Sequence, residues 1–485
     1  MAGEISRRRA LQISALGAAG AVVGGIGTWR SFLGPASEGL VGRPGETLHE
    51  PPVLRSRNGS LQVRLRAAPG ATVAGRRTRA LAYNGSVPGP TIQVRPGDRL
   101  EVSLVNELSG ATNLHTHGLH VSPEGSSDNI FREVAAGTTG GYAYDIPADH
   151  PTGTFWYHPH MHGAVADQVF GGLYGTLVVA GDAEPEVDRE RVLVVSDITL
   201  SGDGRVAEVS GPQRMMGREG ELVLVNGQLR PRIPVSTGSV ERWRVVNACT
   251  SRFLSLTLDG HTLGFLGYDG QALGAPEERD AVLLAPGNRA DLLVQPTHAG
   301  SATLRTQAVD RGGMGMMSGG GGTSQEVELA TVHVTQGNAA GAARVAPHGP
   351  AAADLRGATV DHSRRISFTM GMGMGGMSFG FDGQEFDASR IDQQLQLGTV
   401  EEWVIANDSP MDHPFHLHVW PMQVVEAPDH DPTGRPDWRD VVIVPARGEV
   451  RVRVRVADFA GRTVYHCHIL DHEDQGMMGV VLASA

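Results

Sequence analysis

No lysine occurs anywhere in the 485 residues, so all 41 basic side chains are arginine. They are outnumbered by 53 Asp and Glu. The formal charge of -12, with no basic patch laced by aromatics, argues against nucleic acid as a partner. Cysteine is nearly absent as well. Cys249 and Cys467 are the only two, which excludes a disulfide scaffold and, if Cys467 is a metal ligand, any intrachain disulfide. Long apolar runs are also missing. The one candidate, residues 13–27, is short and Gly/Ala-rich for a membrane span, so none is expected in the mature chain. Adjacent Arg7 and Arg8 precede it, and together they resemble a twin-arginine export signal. No clean cleavage site follows, and no nearby Cys offers a lipoprotein anchor. Residues 1–45 are therefore set aside as an export leader.

What remains reads as short alternating strands. "LQVRLRA", "RVLVVSDITL" and "VRVRVRVADF" show a two-residue period bounded by Gly, Pro and Asp, while helical periodicity is scarce. An all-β sandwich class follows. The length suits about three domains by a prior of roughly 150 residues each. One segment recurs three times: "PTIQVRPGDRLEVSLVN" at 90–106, "PRIPVSTGSVERWRVVN" at 231–247 and "DQQLQLGTVEEWVIAN" at 392–407. Each holds a strand, a turn with Gly and a second strand ending in V/I-x-N. These are domain-scale repeats. They place boundaries near 182 and 350, giving domains 46–181, 182–350 and 351–485, with a linker before the third.

Four His-x-His pairs stand beside strand patterns: His115/His117, His158/His160, His416/His418 and His466/His468. On a strand, residues i and i+2 share a face, so each pair can aim two imidazoles at one place. The residue between them points the other way, so Cys467 should serve a different site from its flanking histidines. The repeats sharpen this. His115 stands nine residues after Asn106, and His416 nine after Asn407; in the middle repeat the same offset lands on Leu256 and Leu258. Likewise "FWYHPH" superposes on "TVYHCH". Eight paired histidines thus come equally from the first and third domains and suit a cluster of metals. The third domain adds His413, Cys467, His472 and Met477. Two His, one Cys and a weak axial Met form the blue-copper electron-transfer set. Their first-domain counterparts are Thr112, Pro159, Ala164 and Val169, so one domain alone carries this mononuclear site. Structural zinc fits poorly, since it needs four ligands in one closed site.

The motifs "HTHG", "HPHMHG", "HPFHLH" and "HCHILDHEDQGMM" resemble the four copper signatures of the multicopper oxidases, the laccase-like family, in the expected order across the chain from about residue 50 onward. The resemblance implies three consecutive cupredoxin-like Greek-key domains and four coppers per chain. It implies a type 1 copper on His413, Cys467, His472 and Met477, and a type 2 copper on His115 and His416. The two type 3 coppers would lie on His117, His158 and His468, and on His160, His418 and His466. Such proteins take single electrons from a reductant and reduce dioxygen to water. Asp128 and Glu473 resemble the family's proton-supplying carboxylates. Relatives with structural or cell-division roles lose copper ligands, whereas this chain keeps every one.

The resemblance implies a small phenolic or aromatic reductant, with Cu(I) as the alternative, and a monomer. Exposed edges of His413 and His472 would accept the electron, with Asp408, Asp412 or Asp474 near enough to take a substrate proton. Methionines crowd into Gly-rich stretches at 314–317 and 370–377, and thioethers favour Cu(I). His120 and His162 fall on no ligand position, and Cys249 reads as an inert buried thiol.

Overall fold

The computed structural model describes residues 44–182, 184–313, 323–337, 353–373, 376–428 and 434–485. Most of the segment expected to be an export leader, most of the expected linker, the methionines at 314–317 and Met374 lie outside them. Inside them, the alternating patterns become strands with one face in the core. Glu449–Val456 buries Val450, Val452, Val454 and Val456 and turns Arg451 and Arg453 toward Glu402.

The strands form three successive pairs of sheets. The first unit sets the five strands Val53–Arg55, Thr91–Val94, Gly175–Val179, Gly153–His158 and His115–His117 against a four-stranded sheet that runs from Arg76–Tyr83 to Thr139–Asp145. The second and third units each set a six-stranded sheet against a five-stranded one. The same crossover recurs in all three. Ser60–Val73 lies parallel to Arg99–Asn106, Arg189–Ile198 to Glu241–Asn247, and His362–Gly373 to Thr399–Asn407. Each sandwich buries its own apolar core. In the second core Leu256 and Leu258 occupy the positions that are histidine in the other repeats.

The asparagine that ends each repeated segment explains why the segment recurs. Asn106 Nδ2 donates to the carbonyls of Gly110 and Val134, while its Oδ1 accepts from the Leu108 amide. Asn247 does the same with Arg252, Leu284 and Cys249, and Asn407 with Met411, Val444 and Ser409. The side chain satisfies backbone groups where the strand breaks into a buried loop. It is a fold element, present in the ligand-free repeat as in the others.

Among the described residues α-helix is limited to three short pieces: α1 (Val165–Gly171), α2 (Gly211–Met216) and α3 (Leu470–Asp474). The first turn of α1 has no cap of its own. Asp474, from the third unit, supplies one by accepting from the Val165 and Ala166 amides at 3.1 and 2.8 Å. No described helix is long and apolar enough to cross a membrane.

Asn247→Ala tests the staple where no metal can intervene. It leaves three buried backbone groups unpaired and should cost the second unit about 2–3 kcal/mol, seen in calorimetry as a lower melting temperature. An unchanged melting profile would contradict the assignment.

Candidate metal centre

Strand pairing builds the histidine cluster. In the first unit His115 lies opposite His158 and His117 opposite Trp156; in the third, His416 lies opposite His466 and Phe415 opposite Cys467. The two edges face each other across the joint between the units. Nitrogens of His117, His158 and His468 converge, as do those of His160, His418 and His466, and those of His115, His117 and His416. The eight histidines anticipated from spacing are thus brought together, and all are buried.

Many of the cluster's ring nitrogens have no hydrogen-bond partner: Nε2 of His115, His158 and His416, Nδ1 of His117, His160 and His418, and both nitrogens of His468. His466 Nε2 lies 3.2 Å from His160 Nε2 and 3.1 Å from His418 Nε2, too many acceptors for one proton to satisfy. Outward nitrogens are tied down. His158 Nδ1 donates to the Pro159 carbonyl at 2.8 Å, His416 Nδ1 to the Asp440 carbonyl at 2.7 Å and His466 Nδ1 to the Cys467 carbonyl at 3.0 Å. Such bonds select the tautomer whose free lone pair points inward, the usual arrangement around a metal. Burial, reinforced by neighbouring imidazoles, lowers the pKa of His158 to about 3 and of His160 to about 4, and lowers those of His115, His117, His416, His418 and His468. These seven are therefore held as neutral lone-pair donors.

Cys467 faces the other way. Its Sγ lies 3.3 Å from His413 Nδ1 and 3.9 Å from His472 Nδ1, and it accepts from the Ile469 amide at 3.4 Å. The main chain of Met477 bonds to both Cys467 and His472, at 3.0 Å each, and its side chain is buried in the same core. Burial pushes the Cys467 thiol up, so a bound cation is what would favour the thiolate. Phe368 stacks on His413 and Phe379 on His472, with ring centroids 5.0 and 4.8 Å apart.

Both carboxylates singled out in the sequence are buried at the cluster. Asp128 Oδ2 lies 2.8 Å from His115 Nδ1, and its Oδ1 accepts from the Thr116 amide and hydroxyl. Burial raises the Asp128 pKa to about 7 despite these bonds. Glu473 is fully buried between His466 Nδ1, at 3.1 Å, and His160 Nδ1, at 3.5 Å.

One expectation fails. His413 and His472 present no exposed edge; both are wholly buried. His413 Nε2 meets Ser409 Oγ at 2.9 Å, and His472 Nε2 donates to the Met215 carbonyl at 3.0 Å, at the end of α2 from the second unit. Arg218, just beyond α2, clamps this cover by a bidentate pair with Asp471. Asp474 is equally misplaced as a substrate base, since it caps α1. Asp412 accepts from the Ala446 amide at 2.8 Å, while Asp408 is exposed. His120 binds Asp458 and the Val419 carbonyl, His162 is exposed against Phe386, and Cys249 is a buried free thiol.

Asp440 and Arg289 escaped the sequence reading. Asp440 reaches His117 Nε2 with its carboxylate, at 3.1 Å, and is itself gripped by Arg289 from the second unit. No local spacing marks either residue. An arginine opening the strand "RADLLV" looks like any solvated one.

Three models of the multicopper oxidase family match residues 68–184, 152–307 and 358–485. A multicopper oxidase of Staphylococcus aureus is 25% identical over 445 residues, 88% of this chain and 89% of that protein. The cell division protein FtsP of Proteus mirabilis is 26% identical over 442 residues, 88% and 90%. Among solved structures, a multicopper oxidase from Campylobacter jejuni described as a metallo-oxidase superposes with a TM-score of 0.80 at 29% identity, covering 93% of this chain and 98% of that one. The chain belongs to the multicopper oxidase family, with all-β cupredoxin-like units, and is an oxidoreductase that uses dioxygen.

The family implies copper, and the donors fit it: neutral imidazoles without partners, and a buried thiol between two of them. Copper-loaded protein should therefore melt well above protein stripped by a chelator. Binding only the folded state is worth about 4 kcal/mol at a thousandfold excess over Kd. Equal melting temperatures would show that these nitrogens are not ligands.

Proposed function

We propose that this chain is an exported, monomeric four-copper oxidase that takes single electrons from a small reductant and passes them to dioxygen. The observation that carries this reading is the convergence of eight histidines on one side of the segment His466–His468, with Cys467 and its two histidines on the other. In this reading His413, Cys467, His472 and axial Met477 hold the type 1 copper. His115 and His416 hold type 2, and His117, His158 and His468, with His160, His418 and His466, hold the type 3 pair. Bound copper would supply the one-electron chemistry and the site for dioxygen. The division at 182 and 350 then gives a first and a third unit that share the cluster, and a second without ligands. The export reading rests on Arg7, Arg8 and the apolar run behind them.

The chain's own residues would do the rest. The peptide from Cys467 to His466 and His468 is the shortest covalent link between the two metal regions. Water formation consumes four protons per dioxygen. Asp128, with its raised pKa beside His115, and Glu473, between His160 and His466, are the buried carboxyls placed to deliver them.

The reductant is where the structure shifts the balance. A phenol or aromatic amine would meet Met215 rather than an imidazole edge. Met215, Met370 and Met377 pack, partly exposed, against the core that holds Cys467 and His472, and Met370 lies opposite Phe379, the ring stacked on His472. Thioethers at the approach favour Cu(I) as the electron donor, with phenolic compounds as the second class.

Cys467→Ser should abolish the blue absorption and reduce the copper content from four per chain to three. A wild-type content near one, without oxygen uptake, would sink the cluster. Replacing Met215, Met370 and Met377 with Leu should lower Cu(I) oxidation relative to phenol oxidation by about tenfold, equivalent to about 1.4 kcal/mol of lost binding. Equal losses on both substrates, measured as oxygen uptake, would remove the Cu(I) reading.

A further inference from the structure

The second unit supplies no ligand, yet it forms part of the cluster's wall. Arg289 is completely buried. Its Nη1 and Nη2 donate to the two carboxylate oxygens of Asp440 at 2.7 and 2.6 Å, its Nε donates to the Thr154 carbonyl of the first unit at 3.1 Å, and Nη1 also reaches the Gly287 carbonyl at 3.1 Å. Asp269, also of the second unit, holds the other side of the joint. Its Oδ1 accepts from the Arg289 amide, and its Oδ2 from Asn288 Nδ2 and the Asp440 and Val441 amides. One guanidinium thereby ties all three units together at one point.

That point touches the cluster twice. Asp440 Oδ1 sits 3.1 Å from His117 Nε2, and the Asp440 carbonyl accepts from His416 Nδ1 at 2.7 Å. With Nε2 committed to the carboxylate, His117 turns its unpartnered Nδ1 toward the other histidines. Two glycines show how tightly the wall is built. A Cβ on Gly118 would overlap Asp440 and Arg289, and one on Gly287 would come within 2.8 Å of the His468 ring.

We infer that Arg289 is a positioning residue for the trinuclear cluster. It fixes Asp440, and through Asp440 the tautomer and orientation of His117 and the placement of His416, so the ligand-free second unit decides whether the first and third can hold their metals. This rests on the four-copper reading above. Arginine suits the role because its planar fork matches both carboxylate oxygens at once.

The test uses the full-length, copper-loaded protein. Arg289→Met leaves Asp440 buried without its partner, and that alone could unfold the joint. The double variant Arg289→Met/Asp440→Leu removes both charges. Copper per chain, the type 2 electron paramagnetic resonance signal, the near-ultraviolet band of the type 3 pair and the blue type 1 absorption are read together. The double variant should keep the blue absorption, which certifies the third unit's fold, and lose the type 2 and type 3 signatures, with copper falling from four toward one. Arg289→Lys should recover part of the lost copper. Four coppers with unchanged signatures in the double variant would overturn the inference, as would loss of the blue absorption along with the rest, which marks a purely structural pair. Wild-type protein lacking the type 2 and type 3 signatures would instead refute the four-copper reading.

Discussion

A strand turns successive side chains to opposite faces, and from His466 through Cys467 to His468 that alternation holds two clusters of candidate metal ligands apart while joining them by three consecutive residues. Everything else near the centre follows from that separation. On one face, eight imidazoles must be kept neutral, dry and pointed inward. On the other, one sulfur must meet two imidazoles inside an aromatic and aliphatic core. The third sandwich makes the sulfur face alone, but each of the first and third sandwiches contributes only two pairs of histidines to the other. The cluster therefore requires two sandwiches whose histidine-bearing strands are brought face to face.

Holding edges together over buried polar atoms is an electrostatic task, and this chain performs it with arginine. Arg218 grips Asp471 beside His472, and Arg289 grips Asp440 beside His117. Each carboxylate is almost wholly buried. Such pairs add little net stability against an apolar alternative, but losing one partner is costly because the other is left charged and dry. Their value lies in geometry. A bidentate fork fixes both the distance and the orientation of the carboxylate it holds, and these carboxylates, or the residues next to them, touch the histidines. The absence of lysine looks like compositional bias, yet at these sites the guanidinium is the better tool.

The fold class and the twelve candidate ligands were legible in the sequence because each signal is local. The two-residue spacing of histidines, the nine-residue offset from a repeated asparagine and the placement of Cys467 between two histidines all survive without knowledge of the tertiary arrangement. Asp128 and Glu473 were legible only through resemblance. What the sequence did not reveal depends on contacts between distant segments. His472 meets Met215 across 257 residues and His117 meets Asp440 across 323. An exposed edge for His472 was a reasonable expectation from the ligand motif alone. It failed because the residue that covers that edge belongs to a different unit, whose sequence carries no metal motif at all.

That same unit changes the meaning of the internal repeat. Counting ligands assigns the second sandwich nothing beyond spacing, since Leu256 and Leu258 stand where histidines would. Yet α2 closes the outer nitrogen of His472, and Arg289 closes the outer nitrogen of His117 through Asp440. The second unit thus occupies the outer nitrogen of His472 directly, and orients the third-unit carboxylate that occupies the outer nitrogen of His117. A neutral histidine has two nitrogens and one proton. For His158 and His466 the carbonyl of the next residue takes that proton, whereas for His472 and His117 the partner comes from another unit. Without histidines at these positions, the second sandwich supplies such partners instead, Met215 to His472 and Arg289, through Asp440, to His117.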